Sequence, residues 1–181
     1  MASRLAPHLP RNLRLWLPEQ DDALPAERLP CLAPEAPLDI AILGGLNVPK
    51  GLHVVASLAR AARLKDAGLR FTLIGPASAP SLLTREGVSI TGPYAPDDVD
   101  RLIDQAAPHV VFLPAIWPET WSFVLTIALR RGLPVVAFDI GAPAERLRGL
   151  ARGKLLDAGL AERPDDLLAA FLELRGLWQR K

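Results

Sequence analysis

The sequence predicts an α/β protein in which a doubly wound parallel sheet carries helices on both faces, and three observations predict it. From residue 39 onward, short apolar runs alternate with amphipathic segments, the sequence form of repeated β-α units. Gly68, Gly87 and Gly132 each sit just past a helical pattern, where a helix C-terminus needs a residue with positive φ. Hydrophobic residues make up 50% of the 181 and mean hydropathy is +0.19, ample material for a buried core.

The elements follow in order. Residues 1–38 hold seven of the 18 prolines and none of the 13 glycines, so they read as a lead-in or interdomain connection ahead of a domain over 39–181. Each proline removes a donor and pushes its predecessor toward extended geometry. Within the lead-in, Leu13-Arg14-Leu15-Trp16-Leu17 alternates apolar and polar side chains, which predicts one short edge strand ended by Pro18. Buried parallel strands are expected at Asp39–Leu43, Leu69–Ile74, Val88–Ile90, His109–Leu113 and Pro134–Phe138, with a weak last one near Lys154–Leu156. Helical patterns run near Gly51–Asp66, Ala79–Glu86, Pro96–Gln105, Ser122–Arg131, Pro143–Leu147 and Pro164–Leu177.

Charge excludes several classes of function. With 21 Lys+Arg against 20 Asp+Glu the net charge is +1, so no global field holds a nucleic acid, and any anion must be met locally. Cys31 is the single cysteine; it can form no intramolecular disulfide and no thiolate metal site, which fits a reducing compartment. The N-terminus has arginines and prolines where a signal peptide needs an apolar run, and a cytoplasmic location is expected.

In a doubly wound sheet, ligands bind outside the carboxyl ends of the strands, which directs attention to the loops there. Leu43-Gly44-Gly45-Leu46-Asn47-Val48-Pro49-Lys50-Gly51 is a glycine-flexible loop that delivers one lysine to a helix start. Free amides, the helix dipole and the Lys50 charge could hold a phosphate there; an ordinary surface lysine after a turn is the competing reading. The loop is neither GxGxxG nor GxxxxGK[ST], so neither a nicotinamide cofactor nor a simple nucleotide hydrolase is supported. A second loop, Pro114-Ala115-Ile116-Trp117-Pro118-Glu119-Thr120-Trp121-Ser122-Phe123, runs from a strand end into a new helix. Thr120 or Ser122 could cap that helix, leaving the amides of Trp121, Ser122 and Phe123 open. Glu119 beside free amides suits a ligand with hydroxyls and phosphates, or it only offsets the helix dipole.

Several stretches together carry a resemblance: ILGGLNVPKG, FTLIGPAS, VSITGPY and VVFLPAIWPETWSFVLTIALRRGLPVVAFDIGAPAERL. From Ile40 to about Leu174 the sequence resembles the C-terminal, donor-binding half of a GT-B glycosyltransferase of family 4, the group 1 glycosyltransferases. The resemblance implies a Rossmann-like domain that binds a nucleotide diphosphate sugar as donor substrate, needs no cofactor and serves a retaining, metal-independent transfer to a glycan or lipid-linked acceptor in polysaccharide biosynthesis. Position by position, it places Lys50 on the diphosphate and Glu119, the first glutamate of an E-x7-E motif, on the donor sugar, these two being the catalytic assignments. Gly44, Gly45, Ser122 and Phe123 fall among the donor-binding positions. The family usually carries an arginine where Gly45 stands and a ribose-binding glutamate where Ile127 stands; Ile127 lies eight residues after Glu119, slightly over two helical turns, which predicts a shared helix face. The resemblance further implies an N-terminal acceptor-binding domain outside these residues, and peripheral attachment at the inner membrane face through the full-length protein. A degenerate α/β interaction module is the alternative, because two donor ligands are replaced.

Other signals weigh less. Asp98-Val99-Asp100 matches DxD but opens a helix, where carboxylates are favoured. His8, His53 and His109 lack metal-ligand spacing, and no metal site is expected. Tyr94, after Gly92-Pro93 on a ligand-edge loop, could touch a nucleobase or pack; Glu145 sits in a first helical turn near the same edge, and Trp178 is expected to cover the core.

Overall fold

The computed structural model describes residues 24–25 and 29–179; the strand expected over Leu13–Leu17 lies outside the described residues. Among the described residues, β1 (Leu38–Leu43), β2 (Leu69–Ile74), β3 (Ser89–Ile90), β4 (Val110–Leu113), β5 (Val135–Phe138) and β6 (Gly153–Leu156) form one sheet in the order β3-β2-β1-β4-β5-β6. Every pairing in it is parallel. The helices are α1 (Leu52–Leu64), α2 (Pro80–Arg85), α3 (Val99–Ala106), α4 (Phe123–Arg130), α5 (Gly141–Leu147) and α6 (Pro164–Trp178). Two short 3-10 turns, Pro96–Asp98 and Ala158–Glu162, complete the set.

Strand side chains alternate between faces, and the core divides accordingly. Ile40, Ile42, Phe71, Leu73, Phe112 and Phe138 pack with α1 and α6 on one face. Ala41, Leu43, Ile74, Val111, Leu113 and Ala137 pack with α3, α4 and α5 on the other. Phe112 anchors the first cluster, with edge-on contacts to Phe138 at 5.8 Å and to Phe171 of α6 at 5.1 Å. Trp178 packs against that cluster as expected. The proline-rich lead-in is tied in where it is described: Leu32 is buried, its N–H donates to the Trp178 carbonyl at 2.7 Å, and it bridges to Gln179.

Helix ends follow the glycine punctuation with one correction. At Gly132 (φ 70°) the Leu133 N–H reaches the Ala128 carbonyl and the Gly132 N–H the Leu129 carbonyl, and Gly87 (φ 86°) closes α2 in the same way. At the end of α1 that role belongs to Asp66 (φ 47°), with Ala67 N–H on the Ala62 carbonyl. Gly68 instead lies where a Cβ would meet the Arg175 guanidinium at 2.7 Å; that guanidinium donates to the Ala36 and Ala67 carbonyls.

The strand order reverses between β1 and β4. A crevice therefore opens outside their carboxyl ends, between the loops that follow Leu43 and Leu113.

Candidate functional site

Backbone contacts hold the two loops together. Gly51 (φ 86°), next to Lys50, lies so close to Pro114 that a Cβ there would meet the Pro114 carbonyl oxygen at 2.1 Å. The Ile116 N–H donates to the Pro49 carbonyl at 3.1 Å. From the other side, Gly141 (φ 67°) backs onto Glu119, and the Ala142 N–H donates to the Glu119 carbonyl at 2.9 Å. Glycine at these positions lets three loops share one crevice.

A narrow cleft lies between them. Gly45, Lys50, Glu119 and Ser122 line it, with Trp117 and Val124 beside them and Ile42, Leu113, Ala137 and Phe138 on its apolar walls. Lys50 Nζ stands 3.9 Å from Glu119 Oε1; the lysine side chain is 44% exposed and the glutamate 13%. A partly exposed pair at that separation contributes about 0–1 kcal/mol, so an anionic ligand can draw the ammonium away at little cost.

The two helix starts considered for an anion differ in which amides they keep. At α1, the Lys50 N–H is taken by Asn47 Oδ1 at 3.1 Å, the Gly51 N–H by the Val48 carbonyl and the Leu52 N–H by the Asn47 carbonyl. The expectation of free amides in that loop holds in part: those three are taken, whereas the Gly45, His53 and Val54 N–H groups have no partner among the described residues, and the Lys50 side chain adds its charge beside them. The asparagine before the lysine was the signal, since Asx turns consume nearby amides. At α4, Ser122 occupies the N-cap position with extended backbone (φ −139°, ψ 103°), yet its hydroxyl makes no capping bond, contrary to expectation. That hydroxyl is buried and has no hydrogen-bond partner in the protein, while the residue lines the cleft. The first turn of α4 carries no acidic side chain to offset its positive end.

The remaining sequence-selected residues are distributed as follows. Gly44 (φ 83°) faces α4, where a Cβ would meet Val124 Cγ1 at 2.9 Å, and its carbonyl oxygen would lie 2.3 Å from a Cβ at Gly75. Phe123 opens α4 with its side chain exposed at the surface. Tyr94 packs against the second core cluster, where burial raises its phenol above the ordinary value, and it is not among the residues lining the cleft. Glu145 is exposed and lines a neighbouring depression that also reaches Glu119. Asp98 pairs with Arg101 at 2.9 Å and caps no helix. His109 Nδ1 accepts the Asp39 N–H at 3.0 Å at the opposite end of the sheet, beside the two bonds from Arg70 to Asp39.

The shared helix face expected for Glu119 and Ile127 does not exist, because α4 begins at Phe123 and Glu119 precedes it in the loop. Ile127 is half-buried against the second core cluster. Sequence reasoning missed Arg146 of α5, which donates from Nη1 to the Ser122 carbonyl at 2.9 Å and from Nη2 to Thr126 Oγ1 at 2.7 Å, and lies 4.2 Å over the Trp121 ring. Its partners lie 20 and more residues away, so no local spacing marks it.

Among the described residues no helix is long and apolar enough to cross a membrane, and no group of three or more His, Cys, Asp or Glu residues is placed to hold a metal ion. The model of the family "Glycosyl transferases group 1" matches residues 37–175. No curated protein matches the sequence. Among solved structures, the apo form of the lipopolysaccharide outer core galactosyltransferase WaaB superposes with a TM-score of 0.65 at 16% identity, over 87% of this chain and 46% of that one. The Anabaena protein Alr3699/HepE, in complex with UDP and glucose, gives a TM-score of 0.56 at 22% identity, over 76% and 39%. The C-terminal domain of the group 1 glycosyl transferase LpcC from Francisella tularensis gives 0.52 at 17% identity, over 78% and 80%. The chain thus spans less than half the length of WaaB and HepE and most of the isolated LpcC domain. At these identities the structures speak for the fold, a Rossmann-like half of the GT-B architecture; the family match rests on the sequence, and the chain belongs to the group 1 glycosyl transferases.

Proposed function

We propose that this chain is the donor-binding half of a retaining glycosyltransferase that moves a sugar from a nucleotide diphosphate sugar to a glycan or lipid-linked acceptor. One observation carries the reading: Lys50, Glu119 and the buried, unpartnered Ser122 hydroxyl line a single cleft at the point where the strand order reverses. Family membership and the UDP bound by HepE support a uridine nucleotide as the first ligand to try. In this reading the Lys50 ammonium and the first-turn amides of α4 meet the diphosphate. They stabilise it more strongly as the glycosidic bond breaks and negative charge grows on the leaving oxygen. Glu119, held through its backbone by Ala142, accepts hydrogen bonds from sugar hydroxyls. The acceptor-side groups belong to an N-terminal domain outside these residues, and the full-length protein works on the cytoplasmic face of a membrane without a metal ion or cofactor.

Calorimetric titration of the chain with uridine diphosphate and UDP-sugars tests this. Saturable one-to-one binding is expected, and no binding of any nucleoside diphosphate at millimolar concentration overturns it. The packing of Ile127 against the second core cluster, where the family carries a ribose-binding glutamate, favours a second reading: a non-catalytic interaction module that keeps the fold.

A further inference from the structure

The start of α4 is held by a side chain from a different element. Arg146 of α5 places one guanidinium nitrogen on the Ser122 carbonyl, at 2.9 Å, and a second on Thr126 Oγ1, one turn further along, at 2.7 Å. The same carbonyl takes the Thr126 N–H at 3.4 Å, so the bond that opens the helix and the bond from Arg146 share one acceptor. The planar group also lies 4.2 Å over the Trp121 ring, fixing the residue before the N-cap. Three consecutive parts of the loop-to-helix junction are therefore gripped by one rigid fork. Ser122 lines the cleft, and its hydroxyl is buried, has no hydrogen-bond partner among the described residues and does not cap the helix. In most helices the N-cap side chain fixes the first turn; here that work falls to Arg146.

We propose that Arg146 is a positioning residue for the donor diphosphate: through the Ser122 carbonyl, Thr126 and the Trp121 ring, it holds the first turn of α4 so that its unbonded amides keep their place for phosphate. The proposal rests on the donor-site reading above. Lysine is a poor substitute, because a single ammonium cannot span two acceptors and stack on an indole as a planar guanidinium does.

The test uses the full chain, its R146A, R146K and T126V variants, and two probes, uridine diphosphate and uridine. R146A is expected to bind uridine diphosphate about tenfold more weakly, the scale of one charge-assisted hydrogen bond. Uridine affinity should stay near that of the parent, because only the phosphate-facing turn is disturbed. R146K should recover part of the loss, and T126V, which removes one acceptor and keeps the other contacts, should show a smaller loss. Unchanged uridine diphosphate affinity in both R146A and T126V overturns the proposal. So does a loss shared equally by uridine and uridine diphosphate, which marks general damage to the cleft. Should the parent bind neither probe, the donor-site reading falls, and hydrogen exchange at the Thr126 and Ala142 amides still decides the role of Arg146. Faster exchange in R146A with melting otherwise intact supports positioning of the junction, and unchanged exchange refutes it.

Discussion

Lys50 and Gly45 are both lightly constrained in the same loop. Lys50 is loosely paired with Glu119 at 3.9 Å, makes its other bond through its backbone, and contributes little to the core. Lys50→Ala should therefore weaken uridine diphosphate binding by about 1.5–3 kcal/mol, the range for a hydrogen bond to a charged group, while the melting temperature stays within a degree or so of the parent. Equal affinity in calorimetry would remove the lysine from the site. Gly45 has no left-handed φ, and a Cβ there would find its nearest neighbour, a Pro76 side-chain atom, at an ordinary 3.9 Å. Nothing local demands glycine at the position where the family carries a cation. Gly45→Arg should fold normally and tighten diphosphate binding; a fall in affinity would show that the cleft needs the space. Ile127 separates the two functional readings. Val124, one turn earlier, lines the cleft, so a glutamate at 127 rises on nearly the same side of α4. Ile127→Glu should tighten nucleotide binding at some loss of stability if the cleft is a donor site. Destabilisation with no gain in affinity would favour the interaction module.

Between elements, the Arg63–Glu86 pair joins α1 to the end of α2 at 2.8 Å. The hydrogen bond from Arg63 holds Glu86 below its ordinary value of 4.5. A depressed carboxyl pKa stabilises the fold fully above the unfolded-state value and loses that contribution as pH falls through the folded-state value. Glu86→Gln should thus melt below the parent at pH 7 and converge with it in strong acid; a constant gap across that range would show that the ion pair contributes nothing. The elements themselves were largely legible, because a buried parallel strand is a short apolar run and Leu69–Ile74 or Val135–Phe138 can hardly be read otherwise. What escaped depended on contacts distant in sequence or on polar atoms with competing partners. Asn47 takes the Lys50 and Leu52 amides at the start of α1, Ser122 leaves its helix without a side-chain cap, and Arg146 takes over the junction across 20 and more residues. The 3-10 turn Ala158–Glu162 was missed for a simpler reason: Ala-Gly-Leu-Ala-Glu has no period, and Asp157 alone, accepting the Gly159 N–H, starts it.

At the scale of the whole molecule, the sheet carries a packed layer on each face, and the first layer closes over Leu32 and α6. That closure predicts that the chain folds cooperatively as it stands. Phe171, fully buried against Phe112, should cost about 3–5 kcal/mol when cut to alanine. The catalytic side is different. The polar side chains assigned to the donor, Lys50, Glu119 and Ser122, lie together in one cleft at the carboxyl edge of this sheet. In the donor-half reading, the groups that orient an acceptor hydroxyl for the transfer come from a second domain. The chain alone should bind a nucleotide sugar and fail to transfer it. The check is an assay with a panel of UDP-sugars and glycan acceptors, run beside the binding titration on the same preparation. Binding without transfer agrees with a donor half that needs a second domain, whereas turnover at rates typical of enzymes, about 1–1000 per second, would show that these 181 residues hold both halves of the chemistry.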